Sequence, residues 1–91
     1  MEHDFQLELL TPEAVVLSGL AQEVIAPGSE GYFGVMAKHA HFATALKPGV
    51  LTVKMQDKTR RYDIKGGVVQ VTPEKVVICA EGAVLQEIAH Q

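Results

Sequence analysis

Several residue types are scarce or missing in this sequence. It contains no tryptophan and a single cysteine, Cys79, so no disulfide can form within one chain. A chain without internal disulfides favours a reducing compartment. Cys79 lies in the apolar run 76–80, where we expect the thiol to be buried as a small hydrophobic group.

An excess of positive charge is also missing. The chain has 8 Lys and Arg residues against 11 Asp and Glu residues, and its formal net charge is −3. The basic residues are scattered, so the positive patch that binds nucleic acid is lacking and nucleic acid is not an expected partner. No apolar run approaches the ~18 residues of a membrane-spanning helix, and no export signal is visible.

Helical periodicity is the third absence. No window of about 11 residues sustains an apolar repeat of about 3.6 residues, so we predict almost no helix. Apolar and polar residues alternate instead, as at Phe5, Leu7 and Leu9, which would share one face of a half-buried strand. Residues 50–56 and 59–64 alternate in the same way and predict a hairpin.

What the chain does contain is a series of short strand-forming runs. They are separated by turn signals about every 8–12 residues, the spacing typical of an antiparallel sandwich or barrel. A chain of 91 residues buries only about 60–65% of its extended surface, so residues 1–91 predict one domain. The ten predicted strands are 5–9, 14–18, 22–26, 32–36, 42–46, 50–56, 59–64, 68–72, 75–80 and 83–88.

The stretch 26–49 holds most of the features that strand-forming sequence does not supply. It begins with a Pro-Gly pair at 27–28 and ends with another at 48–49, and such pairs mark reversals of the chain. The glycines between them rule out a helix and predict a tightly turned loop and strand. They recur at every third position, as Gly28, Gly31 and Gly34.

This glycine-rich loop offers candidate contact side chains. Glu30, Tyr32, Phe33 and Met36 suit a protein-binding face, because loops held by a rigid scaffold often carry aromatic contacts. Alternation allows only one face to be buried, however. The alternative, that Phe33 and Val35 point into the core while Tyr32 covers an edge, is equally open.

Sites for chemistry are weakly indicated. Ser29 lacks the G-x-S-x-G spacing of a nucleophile elbow, and the glycines around the acidic Glu30 lack the helix N-terminus of a phosphate loop. His39 and His41 would share one face of a strand, which defines an alternative hypothesis: a stand-alone β-domain that binds a metal or small ligand. No Cys or carboxylate completes that set, so we predict no enzyme activity, no cofactor and no metal.

A set of short motifs follows in a characteristic order along the chain. They lie at residues 27–31, 34–35, 39–40, 44 and 46–49, with further matches at 5–10, 18–19 and 66–67. In order and spacing they resemble the N-terminal domain of the F-type ATP synthase epsilon subunit. The resemblance implies a ten-stranded antiparallel β-sandwich, in agreement with the strands counted above.

The resemblance also implies a function. A domain of this family is a non-catalytic part of the central stalk that joins the gamma subunit to the membrane-embedded c-ring, so that proton-driven rotation drives ATP synthesis. It would lie at the cytoplasmic face of the bacterial inner membrane and associate with the membrane only through the complex. The residues expected at the c-ring are Ser29, Glu30, Gly31 and Tyr32. Those expected at gamma are His39, Ala40 and Phe42.

The chain departs from the family pattern in two places. Where the family often reads Pro-Gly-His-Ala-Pro, residues 37–41 read Ala-Lys-His-Ala-His, so we expect a loop whose φ angles are less preset. Most family members also continue into a C-terminal helical hairpin that restrains ATP hydrolysis, whereas this chain ends at Gln91. If that is its natural length, we expect coupling without inhibition by a hairpin.

Overall fold

The computed structural model describes residues 4–36 and 41–90. Within these residues every regular element is a β-strand and there is no helix, which confirms the all-β prediction. No described residue therefore belongs to a helix long and apolar enough to cross a membrane. The strands are β1 (Phe5–Leu10), β2 (Val15–Ala21), β3 (Glu23–Gly28), β4 (Gly31–Met36), β5 (Phe42–Lys54), β6 (Lys58–Val71), β7 (Lys75–Ala80) and β8 (Ala83–His90).

The strands pair in the order β2-β1-β7-β6-β5-β3-β4, and β8 pairs with β6. All pairs among the described strands are antiparallel except β1 with β7, which is parallel. A parallel pair needs a long crossover connection, and the chain from β2 to β6 supplies it here. The antiparallel prediction is therefore correct for every described pair but this one.

The strand count differs from the prediction because two predicted turns are bends within long strands. β5 runs through the Pro-Gly pair at 48–49, and β6 runs through the Gly-Gly pair at 66–67. The two strands pair with each other on both sides of these positions. Gly66 has a φ of 102° and Gly67 a φ of 151°, a region that glycine enters without steric penalty. Four of the predicted strands therefore form only two strands in the structure, β5 and β6.

These bends produce the two layers of a sandwich. Straight strands of 13 and 14 residues would be about 43–46 Å long, whereas the longest dimension of the molecule is 31 Å. The first half of β5 and the second half of β6 form the first layer with β7, β1 and β2. The second half of β5 and the first half of β6 form the second layer with β8, β3 and β4.

The core lies between the layers and follows the alternation of the strands. Phe5, Leu7 and Leu9 are buried in β1 as predicted, and Tyr62 and Ile64 are buried in β6. Burial of these apolar side chains supplies the main stabilising free energy of the fold. The other large contributors are Leu17, Val24, Val35, Leu46, Leu51, Val53, Val69, Val71, Val76 and Ile78.

Cys79 does not belong to this core. Its side chain is exposed, so the prediction of a buried thiol is wrong. Ile78 and Ala80 on either side of it are buried, and successive side chains of a strand point to opposite faces. The uninterrupted apolar run of this strand gave no alternation from which the inward side could be inferred.

Candidate functional site

The candidate site is the hairpin formed by β3 and β4. The two strands pair from Glu23 opposite Met36 to Gly28 opposite Gly31, and only Ser29 and Glu30 connect them. A connection this short is stable when a glycine adopts a positive φ, and Gly31 has a φ of 127°. The turn is therefore a compact, well-defined projection.

The four residues that the resemblance assigns to the c-ring lie together at the end of this hairpin. Ser29, Glu30 and Gly31 are exposed, and Tyr32 is 58% exposed. A Cβ added at Gly31 would meet no heavy atom within 4 Å, so the space around the turn is open. The side chains of the turn are thus available for contact with another molecule.

The structure decides between the two interpretations of β4. Val35 is buried and Phe33 is half-buried against the core, whereas Tyr32 and Met36 are exposed on the other face. The interpretation that Phe33 and Val35 point inwards is therefore correct. Tyr32 was expected either to be a contact side chain or to cover an edge. It does both, because it is exposed and also lies over the edge of β5.

Tyr32 makes a contact that the sequence analysis missed. Its hydroxyl oxygen accepts a hydrogen bond from the backbone N–H of Val50, at 3.0 Å. The same hydroxyl lies beside Gly49, where an added Cβ would be only 2.7 Å from it. No local pattern reveals this contact, because 18 residues separate its partners.

An open groove of ≈ 450 Å³ lies between the hairpin turn and the beginning of β5. Its walls include two aromatic rings, Phe33 and Phe42, which meet edge to face with centroids 6.3 Å apart. Among its lining residues only Glu30 carries a charge. The lining residues are Gly28, Ser29, Glu30, Gly31, Tyr32, Phe33, Phe42 and Thr44.

This groove brings together residues that the resemblance assigned to two partners. Phe42, expected near gamma, lines the same groove as the four residues expected at the c-ring, and it is 40% exposed. His39 and Ala40, the other two residues expected near gamma, lie outside the described residues. The site is thus an aromatic groove with one acidic side chain at its rim.

The base of the hairpin is held by an ion pair. The Lys54 ammonium lies 3.3 Å from the carboxylate of Glu23, at the end of β3 opposite the turn. Glu23 and Lys54 are also directly opposed in the pairing of β3 with β5. Backbone and side-chain contacts therefore fix the same end of the hairpin.

The alternative hypothesis of a metal site depended on His39 and His41. His41 is exposed, and His39 lies outside the described residues. Within residues 4–36 and 41–90 no group of three or more His, Cys, Asp or Glu side chains could hold a metal ion. The part of the chain that the structure describes gives this hypothesis no support.

A second exposed surface was also missed by the sequence analysis. Cross-strand pairing places five apolar side chains in one row on the outer face of the first layer, from β2 to β5. Two members of the row, Val15 and Val68, are 64% and 50% exposed. Exposed apolar rows of this kind are typical of protein contacts. The outer apolar row consists of Val15, Leu10, Cys79, Val68 and Ala45.

The family model described as "ATP synthase, Delta/Epsilon chain, beta-sandwich domain" matches residues 4–86. The chain belongs to this family. The two-layered fold, the hairpin and the glycine-dependent bends described above are thus those of a Delta/Epsilon β-sandwich domain.

Curated relatives of this Delta/Epsilon domain are named ATP synthase epsilon chain. The protein from Brucella canis is 43% identical over 84 residues, which cover 91% of this chain and 62% of the relative. The protein from Allorhizobium ampelinum is 44% identical over 85 residues, which cover 92% of this chain and 63% of the relative. The chain thus spans somewhat less than two thirds of the length of these relatives.

Solved structures share the Delta/Epsilon fold. A cryo-EM structure of the Euglena gracilis mitochondrial ATP synthase, comprising OSCP, F1 and the c-ring, contains a chain with a TM-score of 0.85 and 28% identity. That match covers 90% of this chain and 53% of the other. A chain in the central stalk and c-ring structure of the Tetrahymena thermophila enzyme has a TM-score of 0.77 at 17% identity, over 87% of this chain and 64% of the other, and so supports the fold alone.

Proposed function

We propose that this chain is the β-sandwich part of an ATP synthase epsilon chain and serves as a non-catalytic part of the central stalk. In that role it joins the gamma subunit to the c-ring and couples proton-driven rotation to ATP synthesis. The observation that carries the proposal is the identity to bacterial epsilon chains over nearly the whole sandwich. The Euglena match, in an assembly that includes the c-ring, supports the same role.

The β3–β4 hairpin is the part of the chain that we assign to the c-ring. A subunit that transmits torque has to resist sideways displacement, and a fully paired hairpin with a two-residue turn has few alternative conformations. Its turn also offers both a charge and an apolar groove, the combination that gives protein contacts their specificity and affinity. We assign Ser29, Glu30, Gly31 and Tyr32 to this contact.

The gamma subunit is the second proposed partner. We assign His39, Ala40 and Phe42 to this contact, on the strength of the family resemblance and of the exposure of Phe42. Phe42 begins β5 at one wall of the groove, so the two contacts would be adjacent. A subunit that touches both partners at adjacent positions would link them directly.

The proposed location follows from the proposed complex. The chain would be held at the cytoplasmic face of the bacterial inner membrane by its contacts with the c-ring and gamma. It would be one peripheral component of the ATP synthase, with residues 1–91 folding as a single domain.

The test is a charge reversal at the turn. Glu30→Lys should weaken binding to an ATP synthase complex that contains gamma and the c-ring but lacks epsilon, with a Kd about fivefold to tenfold higher. Its melting temperature should be unchanged, because the exposed Glu30 carboxylate makes no described hydrogen bond or ion pair. Binding can be measured by surface plasmon resonance on the immobilised complex.

Glu74→Lys is the matched control. Glu74 is also an exposed carboxylate in a short connection, between β6 and β7, so the net charge changes equally. It should leave the Kd unchanged. Equal weakening by both variants would show a general charge effect, and a lower melting temperature with intact binding would show that Glu30 is structural; either result contradicts the assignment of the turn.

A further inference from the structure

The pairing of β3 with β5 is interrupted beside the hairpin. Ile25 pairs with Thr52 and Gly28 pairs with Leu46, so Ala26 and Pro27 on β3 face residues 47–51 on β5. The extra residues of β5 bulge out of the ladder, an irregularity larger than a bulge of one extra residue. Along such a bulge the backbone groups of β5 that face β3 lose their ladder partners, while β5 stays paired with β6 on its other side.

The interruption leaves one donor of β5 without a partner on β3. Val50 lies inside the interrupted interval and has no register partner on β3, so its N–H lacks a ladder acceptor on that strand. Val50 is half-buried and its N–H lies at an exposed position, so either water or an acceptor from outside the ladder can satisfy it. An acceptor within the protein fixes the position of the bulge, which water does not.

Tyr32 supplies that acceptor. Its hydroxyl oxygen lies 3.0 Å from the Val50 nitrogen and accepts the Val50 N–H. Gly49 leaves the space for it, because a Cβ there would lie 2.7 Å from the hydroxyl oxygen and 2.9 Å from the Cβ of Pro27. A side chain on β4 thus replaces a backbone partner that β3 does not provide.

This hydrogen bond connects β4 with the rest of the sandwich. Among the described strands β4 forms backbone pairs with β3 alone, and side chains of β4 make its other contacts with the sandwich, including the ring contact of Phe33 with Phe42 on β5. The bond from Tyr32 to Val50 spans β3 and reaches β5 directly. Tyr32 also lies only two residues beyond Glu30 in the turn, so it acts close to the tip.

We propose that Tyr32 is a positioning residue, whose hydroxyl ties β4 to the bulge of β5 and so fixes the direction in which Ser29 and Glu30 project. This inference rests on the proposed function, in which the turn contacts the c-ring. A turn that is already ordered loses less conformational freedom when it binds, so the hydroxyl raises affinity through this tie, in addition to the contact assigned to the Tyr32 ring.

Tyr32→Phe tests the proposal, because it removes only the hydroxyl and keeps the ring. We expect the Val50 amide to exchange with solvent about threefold to tenfold faster, measured relative to the Leu7 amide in the core. NMR relaxation should show larger motion of the Ser29 and Glu30 amides. The Kd for the complex that contains gamma and the c-ring should rise about threefold to tenfold.

Tyr62→Phe is the matched control, since Tyr62 is the other tyrosine of the chain and its hydroxyl is buried. It should leave the relative exchange of Val50, the motion of the turn and the Kd unchanged, even if the core loses some stability. A similar rise in Kd for both variants would overturn the proposal.

The outcomes separate the proposal from the function on which it rests. Failure of the unmodified chain to bind the complex would overturn the proposed function. Normal binding by Tyr32→Phe, or weaker binding with unchanged exchange at Val50, would overturn the positioning role alone. The second result would mean that the hydroxyl contacts the partner directly.

Discussion

Phe33 of β4 and Phe42 of β5 meet edge to face, with their ring centroids 6.3 Å apart and their planes inclined by 65°. The pair links the hairpin to the beginning of β5 across the groove. Because edge-to-face pairs add about 0.5–1.5 kcal/mol to the effect of burial, this contact stabilises the wall of the groove.

We therefore expect Phe42→Ala to lower the free energy of unfolding by about 1–2 kcal/mol, a moderate loss because the ring is 40% exposed. Urea denaturation would measure it. Val68→Ala is the control: it truncates a side chain that is also about half exposed but has no aromatic partner among the described contacts. Equal losses for the two variants would show that the ring pair contributes nothing.

The glycines at the bends give a second prediction. A Cβ at Gly67 would overlap the carbonyl oxygen of Cys79 and lie 2.9 Å from the Cα of Ala80, and the φ of Gly67 is 151°. Gly67→Ala should therefore lower the free energy of unfolding by about 3–5 kcal/mol, since the backbone strain and the steric overlap add. Thermal unfolding followed by circular dichroism would measure the change.

Gly31→Ala separates these two effects. Gly31 also has a positive φ, 127°, but a Cβ there would meet no heavy atom within 4 Å. Gly31→Ala should lower the free energy of unfolding only by the cost of the backbone strain, about 1–2 kcal/mol. If Gly67→Ala lowered the free energy of unfolding no more than Gly31→Ala does, β7 would not approach the bend as closely as described.

Both bends show why the sequence predicted ten strands. A Pro-Gly or Gly-Gly pair supplies the same backbone freedom to a turn and to a bend within a strand. What distinguishes them is whether the flanking segments pair with each other or continue along one partner. At 48–49 and 66–67 they continue, because β5 and β6 pair along both halves. That information is not local.

The features of the candidate site also differ in whether they could be predicted from the sequence. The exposed turn at Ser29 and Glu30 was predictable, because the glycines around it require a tight connection. The inward orientation of Val35 was one of two options that alternation left open. The bond from Tyr32 to Val50 was not predictable, since it depends on a bulge that forms only when β3 and β5 are already paired.

Cys79 provides a third prediction, which reverses the expectation from sequence. Its thiol is exposed in the outer apolar row, so a maleimide should label it in the native protein at a rate similar to that in guanidinium chloride. Mass spectrometry over time would follow the reaction. Labelling more than about 100-fold slower in the native state would place the thiol in the interior and contradict the register of β7.

The last prediction concerns the ion pair at the base of the hairpin. The side chains of Lys54 and Glu23 are 44% and 27% exposed, so water and salt screen their attraction. We expect Lys54→Met to lower the free energy of unfolding by only about 0.2–1 kcal/mol at low ionic strength. The difference should nearly vanish in about 1 M NaCl, where the screening length is about 3 Å.

Lys47→Met is the control for this measurement. Lys47 is exposed on β5 and has no ion pair among the described residues, so its removal changes the net charge equally. Denaturant unfolding of both variants at low and high salt would give the pair's contribution as the difference between them. A loss at Lys54 that persists in 1 M NaCl would mean that the aliphatic part of the side chain, packed along the hairpin base, supplies the stability instead of the charge.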